Sequence, residues 1–316
     1  MKDFRIAITD CDHESFDIEK KVLAEAGIEL EIFQCKTEDD LIEQFQGIHA
    51  ALNQYAPFTE KVFASLPDLK LVVRYGVGVN NVDLEAATKY GVQICNIPDY
   101  GMNEVADHAM ALTLALTRKV TFMNDLVKNG TWDFQKSMPI YRHHVQTVGV
   151  IGLGRIGTEY AKRAQAFGFE VIGCEQTGRQ LPDFVKAVSF ETLIASADII
   201  SIHCPAEGNI DLIGEKELKM MKNSAYLINV SRGGIINEDA LAQALGNNEI
   251  AGAGLDVANV EPIDMASPLL KHDNLLITPH MAWYSEESAM ELKQKAAEET
   301  IRCAKGVAVN YPVNQI

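Results

Sequence analysis

The sequence predicts an α/β protein of two doubly wound units, each a parallel sheet with helices on both faces. The first observation is that short β-rich runs alternate with helical patterns almost from end to end, the order of parallel strands joined by right-handed crossovers. The second is a glycine motif that follows a strand near the middle of the chain. The third is the length, since 316 residues with 47% hydrophobic composition are enough for two domains of about 150 residues each.

The first unit is predicted from five β-rich runs separated by four amphipathic segments. RIAITD is the first strand, and FDIEKKVLAEAG is an amphipathic helix that Gly27 ends. The later strands are IELEIF, IHAALNQ, LKLVVRYG and VQICNIP, and the helices between them are EDDLIEQFQG, TEKVFASLP and VDLEAATKYG.

The second unit is introduced by one long helix, predicted from an N-cap at Asn103 to about Gly130. A polar connector that contains Pro139 follows, and strand–helix alternation then restarts at 147–152. The remaining strands are EVIGCE, DIISIHC, AYLINV, GAGLDV and LLITP, and the helices are IGTEYAKRAQAFG, FETLIASA, EKELKMMKN, EDALAQALGNN and a final one over 285–305.

Charge and composition exclude several classes of protein. The formal net charge of −16 repels nucleic acid and anionic membrane surfaces, so we expect neither as a partner. The start of the chain lacks the basic-then-apolar order of a secretory signal. The six cysteines form no CxxC pair and the eight histidines no HxxxH or HxxEH pair, which favours free thiols in the cytoplasm and gives no support for a metal site.

The glycine motif is VGVIGLGRIG, in which Gly152, Gly154 and Gly157 form G-x-G-x-x-G between a strand and a helix. The first glycine permits the tight turn, the second lets a pyrophosphate approach the backbone, and the third lets helix and strand pack closely. Glu175 ends the next strand, where an acid takes the ribose hydroxyls and repels a 2′-phosphate. The motif therefore predicts an NAD site, although Arg179 nearby leaves NADP open.

Three side chains in the second half suit hydride transfer to a carbonyl. Histidine can donate the proton, arginine can hold an acidic substrate through its bidentate fork, and a carboxylate can tune the histidine. Arg232, Glu261 and His280 each follow a predicted strand. Because the carboxyl ends of parallel strands line one crevice, we expect these three side chains to converge beside the glycine loop.

Five ordered segments carry a resemblance to a known family. GLGRIG, NVSRGGIINEDAL, AGAGLDV, EPIDMASPLL and TPHMAW resemble the D-isomer-specific 2-hydroxyacid dehydrogenases, which include phosphoglycerate, D-lactate and glycerate dehydrogenases. The resemblance implies two Rossmann-like domains, the outer one assembled from both chain termini, and a homodimer that uses NAD. It places the outer, substrate domain at 1–98 and 285–316 and the NAD-binding domain at 99–284. The chain stops at Ile316, and we therefore expect no added C-terminal regulatory domain.

The same resemblance assigns roles to the three side chains. Arg232 matches the arginine that grips the substrate's carboxylate and carbonyl and also borders the cofactor. His280 matches the acid/base histidine, which lies against the cofactor as well, and Glu261 matches the acid that hydrogen-bonds this histidine. The predicted catalytic set is therefore Arg232, Glu261 and His280.

The remaining predicted contacts also follow from the resemblance. The backbone of Val77 and Gly78 matches the loop that offers N–H groups to the substrate carboxylate, with Asn80 where many relatives have aspartate. The segment HCPAEGNIDLIG is one residue shorter than usual and has asparagine in place of threonine. Besides the three glycines and Glu175, the predicted cofactor contacts are Arg155, Ile156, Cys204, Pro205, Asn209, Val230, Ser231 and Asp256.

The predicted function is the NAD-dependent interconversion of a D-2-hydroxy acid and its 2-oxo acid. One alternative is a non-enzymatic NAD(H)-sensing module, because TPHMAWYSEES is similar to the C-terminal-binding-protein branch. Another is a specialised relative that oxidises formate or phosphonate. The substrate stays open, since Arg74 and Arg142 fit either an anionic substrate tail or plain surface charge.

Overall fold

The computed structural model describes residues 3–12, 15–174, 178 and 180–316. The strands in chain order are β1 Ile6–Asp10, β2 Leu30–Ile32, β3 Ala50–Asn53, β4 Leu71–Arg74, β5 Gln93–Cys95, β6 Thr147–Ile151, β7 Glu170–Cys174, β8 Lys186–Ala187, β9 Ile199–Ile202, β10 Tyr226–Asn229, β11 Gly252–Leu255 and β12 Leu275–Ile277. The helices are α1 Asp17–Glu25, α2 Glu38–Gln44, α3 Glu60–Ser65, α4 Leu84–Lys89, α5 Met102–Thr117, α6 Val120–Lys128, α7 Arg155–Ala166, α8 Phe190–Ser196, α9 Glu215–Met220, α10 Glu238–Gly246 and α11 Glu286–Ala304.

The chain divides into two compact units, Met1–Gly101 with Ser285–Ile316, and Met102–Tyr284. The sequence analysis placed the boundaries after residues 98 and 284, so the first boundary falls three residues later than predicted. The difference arises because α5 starts at Met102, whereas the stretch 96–101 that precedes it is irregular.

The first unit is built on a five-stranded parallel sheet of order β2-β1-β3-β4-β5. Its central strands β1 and β3 are buried along their whole length, with apolar residues first and polar ones only at their carboxyl ends, as expected for a sheet covered on both faces. The Asp10 carboxylate at the end of β1 accepts hydrogen bonds from the backbone N–H groups of Gln54, Tyr55 and Ala56. It thereby fixes the loop that follows β3.

The second unit is built on a seven-stranded parallel sheet of order β12-β11-β10-β9-β6-β7-β8. The chain runs outward from β6 in one direction through β8 and in the other direction from β9 to β12. The topological switch point therefore lies between β6 and β9, which is where α/β proteins of this kind bind ligands.

Two details of the second unit differ from the prediction. The long helix is broken into α5 and α6, because Lys119 adopts a left-handed conformation with φ of 52°. The hydroxyls of Thr113 and Thr117 donate to carbonyls four residues earlier, and the Lys119 N–H closes a tighter turn on Leu116, so the last turns of α5 leave the helical path. The short strand β8 was not predicted, since two exposed residues carry no alternating pattern.

Two further findings concern composition. All six cysteines are free, and four of them are buried. Of the helices in the described part of the chain, none combines the length and the apolar character that crossing a bilayer requires.

Candidate active site

The turn from β6 into α7 has the geometry that its glycines predict. Gly152 has φ of 86°, a conformation that favours glycine, and a Cβ there would lie 2.8 Å from backbone atoms of His203. A Cβ at Gly157 would overlap the carbonyl oxygen of Gly152. Gly152 thus makes the turn and the approach to β9 possible, and Gly157 lets the first turn of α7 rest on the end of β6.

The mouth of this turn borders a cleft of about 690 Å³. Gly154 is the N-cap of α7 and offers no side-chain cap to the first turn, so backbone N–H groups and the positive end of the helix dipole face the cleft. Such a cleft fits the pyrophosphate of a dinucleotide. The lining residues are Met102, Leu153, Gly154, Arg155, Thr158, Glu159, Gln180, Leu181, Pro182 and Asp183.

A partly buried histidine backs the glycine turn from the end of the neighbouring strand β9. The His203 imidazole hydrogen-bonds the Ser201 hydroxyl at 2.8 Å and lies against the Tyr160 ring. Burial lowers the pKa of His203 to about 3, so the ring is neutral at physiological pH. Next to it, burial raises the pKa of Cys204 to about 11, which keeps this thiol protonated and unreactive.

The loop that carries Arg232 is held by its neighbours in the chain. The Asn229 side chain donates to the Arg232 carbonyl at 2.9 Å and accepts from the Ser231 N–H at 3.0 Å. The Ser231 hydroxyl donates to the Ile202 carbonyl at 2.7 Å, which ties the loop to β9. A Cβ at Gly233 would overlap the carbonyl of Ala258, so only glycine lets this loop lie directly on the loop after β11.

The loop after β11 brings Glu261 to His280. The Nδ1–H of His280 donates to Glu261 Oε2 at 2.6 Å, and the Ala258 N–H donates to the other oxygen at 3.0 Å. Both side chains keep close to 40% of their surface exposed. In this arrangement the Nδ1–H of His280 is engaged in the hydrogen bond to the carboxylate, so Nε2 is the ring nitrogen that can contact a substrate.

The charges of the three predicted catalytic residues act on one another. Burial opposes ionisation of Glu261, but hydrogen bonds from His280 and the Ala258 N–H, together with the charges of His280 and Arg232, lower the pKa of Glu261 overall. The carboxylate is therefore ionised at neutral pH. The Arg232 charge acts on Glu261 as well, and the convergence of the three side chains on one substrate stays a prediction.

A buried aspartate holds the loop on which His280 lies. The Asp256 carboxylate is 1% exposed and accepts hydrogen bonds from the Thr278 hydroxyl at 2.6 Å and from the N–H groups of Met281 and Ala282 at 3.0 and 2.8 Å. His280 lies between these anchors with φ of 52°. Asp256 was assigned to the nicotinamide amide; its observed partners belong instead to the 278–282 loop, and the cofactor contact stays a prediction.

The other predicted cofactor residues are distributed around the same edge of the sheet. Asn209 donates from Nδ2 to the carbonyls of Pro205 and Glu207, so its amide stabilises its own loop. Val230 is buried at the end of β10, and Arg155 and Ile156 open α7. Glu175, the predicted ribose ligand, and Arg179 lie outside the described residues.

The predicted substrate loop belongs to the first unit. Val77 is 41% exposed, and its carbonyl accepts from the Asn96 side chain at 2.6 Å. Gly76, which precedes it, has φ of 129°, and a Cβ there would overlap the Arg74 guanidinium. Arg74 Nη1 donates to the Tyr75 carbonyl, so this arginine packs under the turn that leads to Val77 and Gly78.

Sequence reasoning missed the residues that position the predicted site. Asn229, Thr278 and Gly233 lay inside quoted motifs, but none had been given a role. Asn259, whose side chain accepts from the Gly234 N–H at 2.6 Å, links the Arg232 and Glu261 loops without any motif to mark it. Over residues 3–12, 15–174, 178 and 180–316, no group of three or more His, Cys, Asp or Glu side chains is arranged to hold a metal ion.

Comparison with known proteins identifies one family that this chain resembles over most of its length. A sequence model described as "D-isomer specific 2-hydroxyacid dehydrogenase, NAD binding domain" matches residues 110–282, more than half of the chain. The chain is 36% identical over 299 residues to a D-3-phosphoglycerate dehydrogenase of Archaeoglobus fulgidus, covering 91% of this chain and 55% of that protein. It is 37% identical over 268 residues to a glyoxylate reductase of Korarchaeum cryptofilum, and this match covers 82% of this chain and 80% of that protein.

The fold has close counterparts among solved structures. The crystal structure of a glyoxylate reductase from Paecilomyes thermophila superposes with a TM-score of 0.88 at 27% sequence identity, over 98% of each chain. The chain spans about half the length of the phosphoglycerate dehydrogenase and four fifths of the Korarchaeum glyoxylate reductase.

Proposed function

Because the chain belongs to the D-isomer-specific 2-hydroxyacid dehydrogenase family, we propose that it interconverts a D-2-hydroxy acid and the corresponding 2-oxo acid with NAD. The observation that carries the proposal is the 2.6 Å contact between His280 and Glu261, at the edge of the sheet where the glycine turn also lies. A histidine oriented by an ionised carboxylate is the proton donor that carbonyl reduction needs.

In the direction of reduction, the residues have separable tasks. Arg232 holds the substrate's carboxylate and carbonyl through its planar fork, and the family resemblance assigns the backbone N–H groups of Val77 and Gly78 to carboxylate binding. A bound nicotinamide supplies the hydride at the carbonyl carbon. His280, charged and held through Nδ1, gives the Nε2 proton to the carbonyl oxygen, and Glu261 stabilises the imidazolium before transfer. Oxidation uses the same groups in reverse.

NAD is the proposed cofactor, bound with its pyrophosphate at the α7 N-terminus and its ribose hydroxyls on Glu175. A carboxylate at position 175 disfavours a 2′-phosphate, which supports NAD over NADP. Cytoplasmic location is proposed from the six free cysteines.

A homodimer is the proposed assembly, and the support for it is a group of exposed apolar side chains. Eight of the 21 exposed large hydrophobic side chains in the described part of the chain fall within residues 120–145, and exposed apolar clusters of this kind mark protein–protein contacts. We call them the 120–145 apolar surface: Val120, Phe122, Val127, Trp132, Phe134, Met138, Tyr141 and Val145.

The alternative of a non-enzymatic NAD-sensing module is not favoured. The similar proteins are named as dehydrogenases and reductases, and the family match covers the whole segment from 110 to 282. The oriented His280–Glu261 pair would have no use in a protein that only binds the dinucleotide.

The test is NADH oxidation by the purified protein with glyoxylate, hydroxypyruvate, 3-phosphohydroxypyruvate, pyruvate and a branched 2-oxo acid, and with NAD plus formate or phosphonate in the other direction. We expect turnover on at least one 2-oxo acid. His280→Ala should lower kcat by about 100-fold or more, since a positioned general acid contributes that much, while NADH still binds. Nucleotide binding without turnover on any compound would reject the enzymatic proposal, and an unimpaired His280→Ala would reject the assignment of the proton donor.

A further inference from the structure

One histidine outside the predicted catalytic set contacts the loop of His280 from the helix side of the sheet. His108 lies on α5, with 19% of its side chain exposed, and its Nε2 is 2.9 Å from the hydroxyl oxygen of Thr278. Thr278 is two residues from His280, and the His280 N–H donates to the Thr278 carbonyl at 3.0 Å. His108 is therefore one hydrogen bond away from the backbone that presents the proton donor.

The direction of these hydrogen bonds follows from counting protons. Asp256 accepts two backbone N–H groups, and the Thr278 hydroxyl has one proton, which it donates to Asp256 Oδ1 at 2.6 Å. The Thr278 oxygen is left as an acceptor, so His108 must donate from Nε2. The same Nε2 lies 3.6 Å from Asp256 Oδ1, where an N–H dipole also stabilises the carboxylate.

The backbone at His280 depends on anchors of this kind. A left-handed conformation is unfavourable for a residue other than glycine, and His280 has it with φ of 52°. It persists because Thr278 on one side and Met281 and Ala282 on the other are all bound to Asp256. Without a donor to its oxygen, the Thr278 hydroxyl can turn away from Asp256 and release one side of this clamp.

Helix α5 is placed well enough to serve as the support. Its residue Leu112 packs on β11 so closely that a Cβ at Gly254 would lie 3.1 Å from the Leu112 Cβ. Gly254 is two residues before Asp256 in the chain, and Leu112 is one helical turn after His108. The imidazole is thus fixed relative to the strand that carries the aspartate.

We propose that His108 is a positioning residue for the reaction, which through Thr278 and Asp256 holds the 278–282 loop so that His280 meets the carbonyl oxygen. This inference rests on the proposed function for its consequence in catalysis, but its structural content concerns the ligand-free chain alone. His108 touches neither the substrate nor the reacting atoms in this account.

The experiment compares His108→Leu, which keeps the bulk but has no donor, with His108→Gln, whose amide N–H₂ can replace Nε2–H. With the 2-oxo acid that the wild type reduces, His108→Leu should lower kcat about tenfold with NADH affinity changed by less than about twofold. His108→Gln should recover activity to within about threefold of the wild type. The control is the same substitution at an exposed histidine, His144→Leu, which should behave as wild type.

A second readout needs no activity. Amide hydrogen exchange at Met281 and Ala282 in the ligand-free protein should be about tenfold faster in His108→Leu and unchanged in His108→Gln. Unchanged exchange in His108→Leu, or faster exchange of equal size in both variants, would overturn the proposal, as would wild-type kcat in His108→Leu. A wild type that turns over no substrate would reject the proposed function, while the exchange comparison would still decide the role of His108.

Discussion

His280 is oriented by contacts to its imidazole ring and by contacts to the backbone around it. Glu261 binds the ring at Nδ1, and the Asp256 carboxylate binds the chain on either side of it. These carboxylates serve different ends, because Glu261 is partly exposed and can respond to the charge of the ring, whereas Asp256 is buried and fully engaged. Glu261 therefore binds the ring of His280, while Asp256 binds the backbone on either side of it.

Replacing Glu261 by glutamine should change the pH dependence of reduction. Glutamine cannot carry a charge and offers only a neutral amide oxygen to the His280 Nδ1–H, which now lies 2.6 Å from the carboxylate. The dependence of kcat/KM for 2-oxo acid reduction on pH should therefore differ from that of the wild type, and kcat/KM at pH 7 should fall about tenfold. The measurement is kcat/KM between pH 5 and 9. Glu191→Gln, at an exposed position on α8, is the control; a profile for Glu261→Gln that coincides with it would contradict the role of Glu261.

The catalytic roles of Arg232, Glu261 and His280 are predictions. These three residues could be singled out from the sequence because each follows a strand and has a side chain suited to one task. Thr278 and His108 could not, because their roles depend on which way a hydroxyl points and on how α5 packs against β11. Those facts arise from tertiary contacts between residues 170 positions apart. Similarly, the contact of Asn259 with the Gly234 N–H joins two loops that share no motif.

Among the elements of the second unit, the junction of β6 and α7 is tightly constrained by backbone contacts. Gly157 is buried in the first turn of the helix against the carbonyl of Gly152. The Cα of Gly152 faces the backbone of His203 and Cys204, which follow β9 on the other side of the switch point. A side chain at either glycine has to move main chain, not the end of another side chain. The spacing of the motif is thus fixed by packing within the protein.

Substituting Gly157 by serine should destabilise the second unit through this contact. Overpacking against backbone costs about 3 kcal/mol, and we expect a lower midpoint of thermal unfolding together with weaker NADH binding. Gly214→Ser is the matched control, because a Cβ there meets other atoms only at 3.6 Å or beyond and serine is a favourable N-cap for α9. Equal midpoints for the two variants would show that the contact at Gly157 is unimportant.

Most elements of the fold could be predicted from periodicity and turn residues, but the end of α5 could not. The apolar pattern continues from 109 into 127 with no glycine or proline to stop it. What ends the helix is the left-handed conformation of Lys119, a position where propensity alone favours continuation.

At the scale of the whole molecule, two surface properties work in opposite directions. A net charge of −16 keeps copies of the chain apart at long range, whereas the 120–145 apolar surface favours close contact. Trp132 and Phe134 are the most exposed of this group, at 89% and 75%. An apolar contact gains from burial irrespective of salt, so the proposed dimer should become more stable as added salt screens the repulsion.

Replacing both Trp132 and Phe134 by serine should shift the proposed dimer to monomer. Because both rings are exposed in the single chain, the free energy of unfolding of the monomer should change by less than about 0.5 kcal/mol per site, whereas the dimer loses two buried aromatic contacts. Sedimentation velocity checks the assembly state, and Met265→Ser, at a residue 83% exposed elsewhere, is the control. A double variant that sediments as the wild type would place the dimer contact outside this surface.

The glycine motif has a consequence for how such sequences are interpreted in general. Its first and third glycines answer to contacts inside the fold, and the second has φ of −70°, a value open to any amino acid. A related protein that no longer binds dinucleotides would still need glycine at positions 152 and 157 in order to fold. Position 154 could instead be occupied by other amino acids. Of the three glycines, the middle one is therefore diagnostic of dinucleotide binding. Its replacement, rather than replacement of the first or the third, would indicate that binding has been lost.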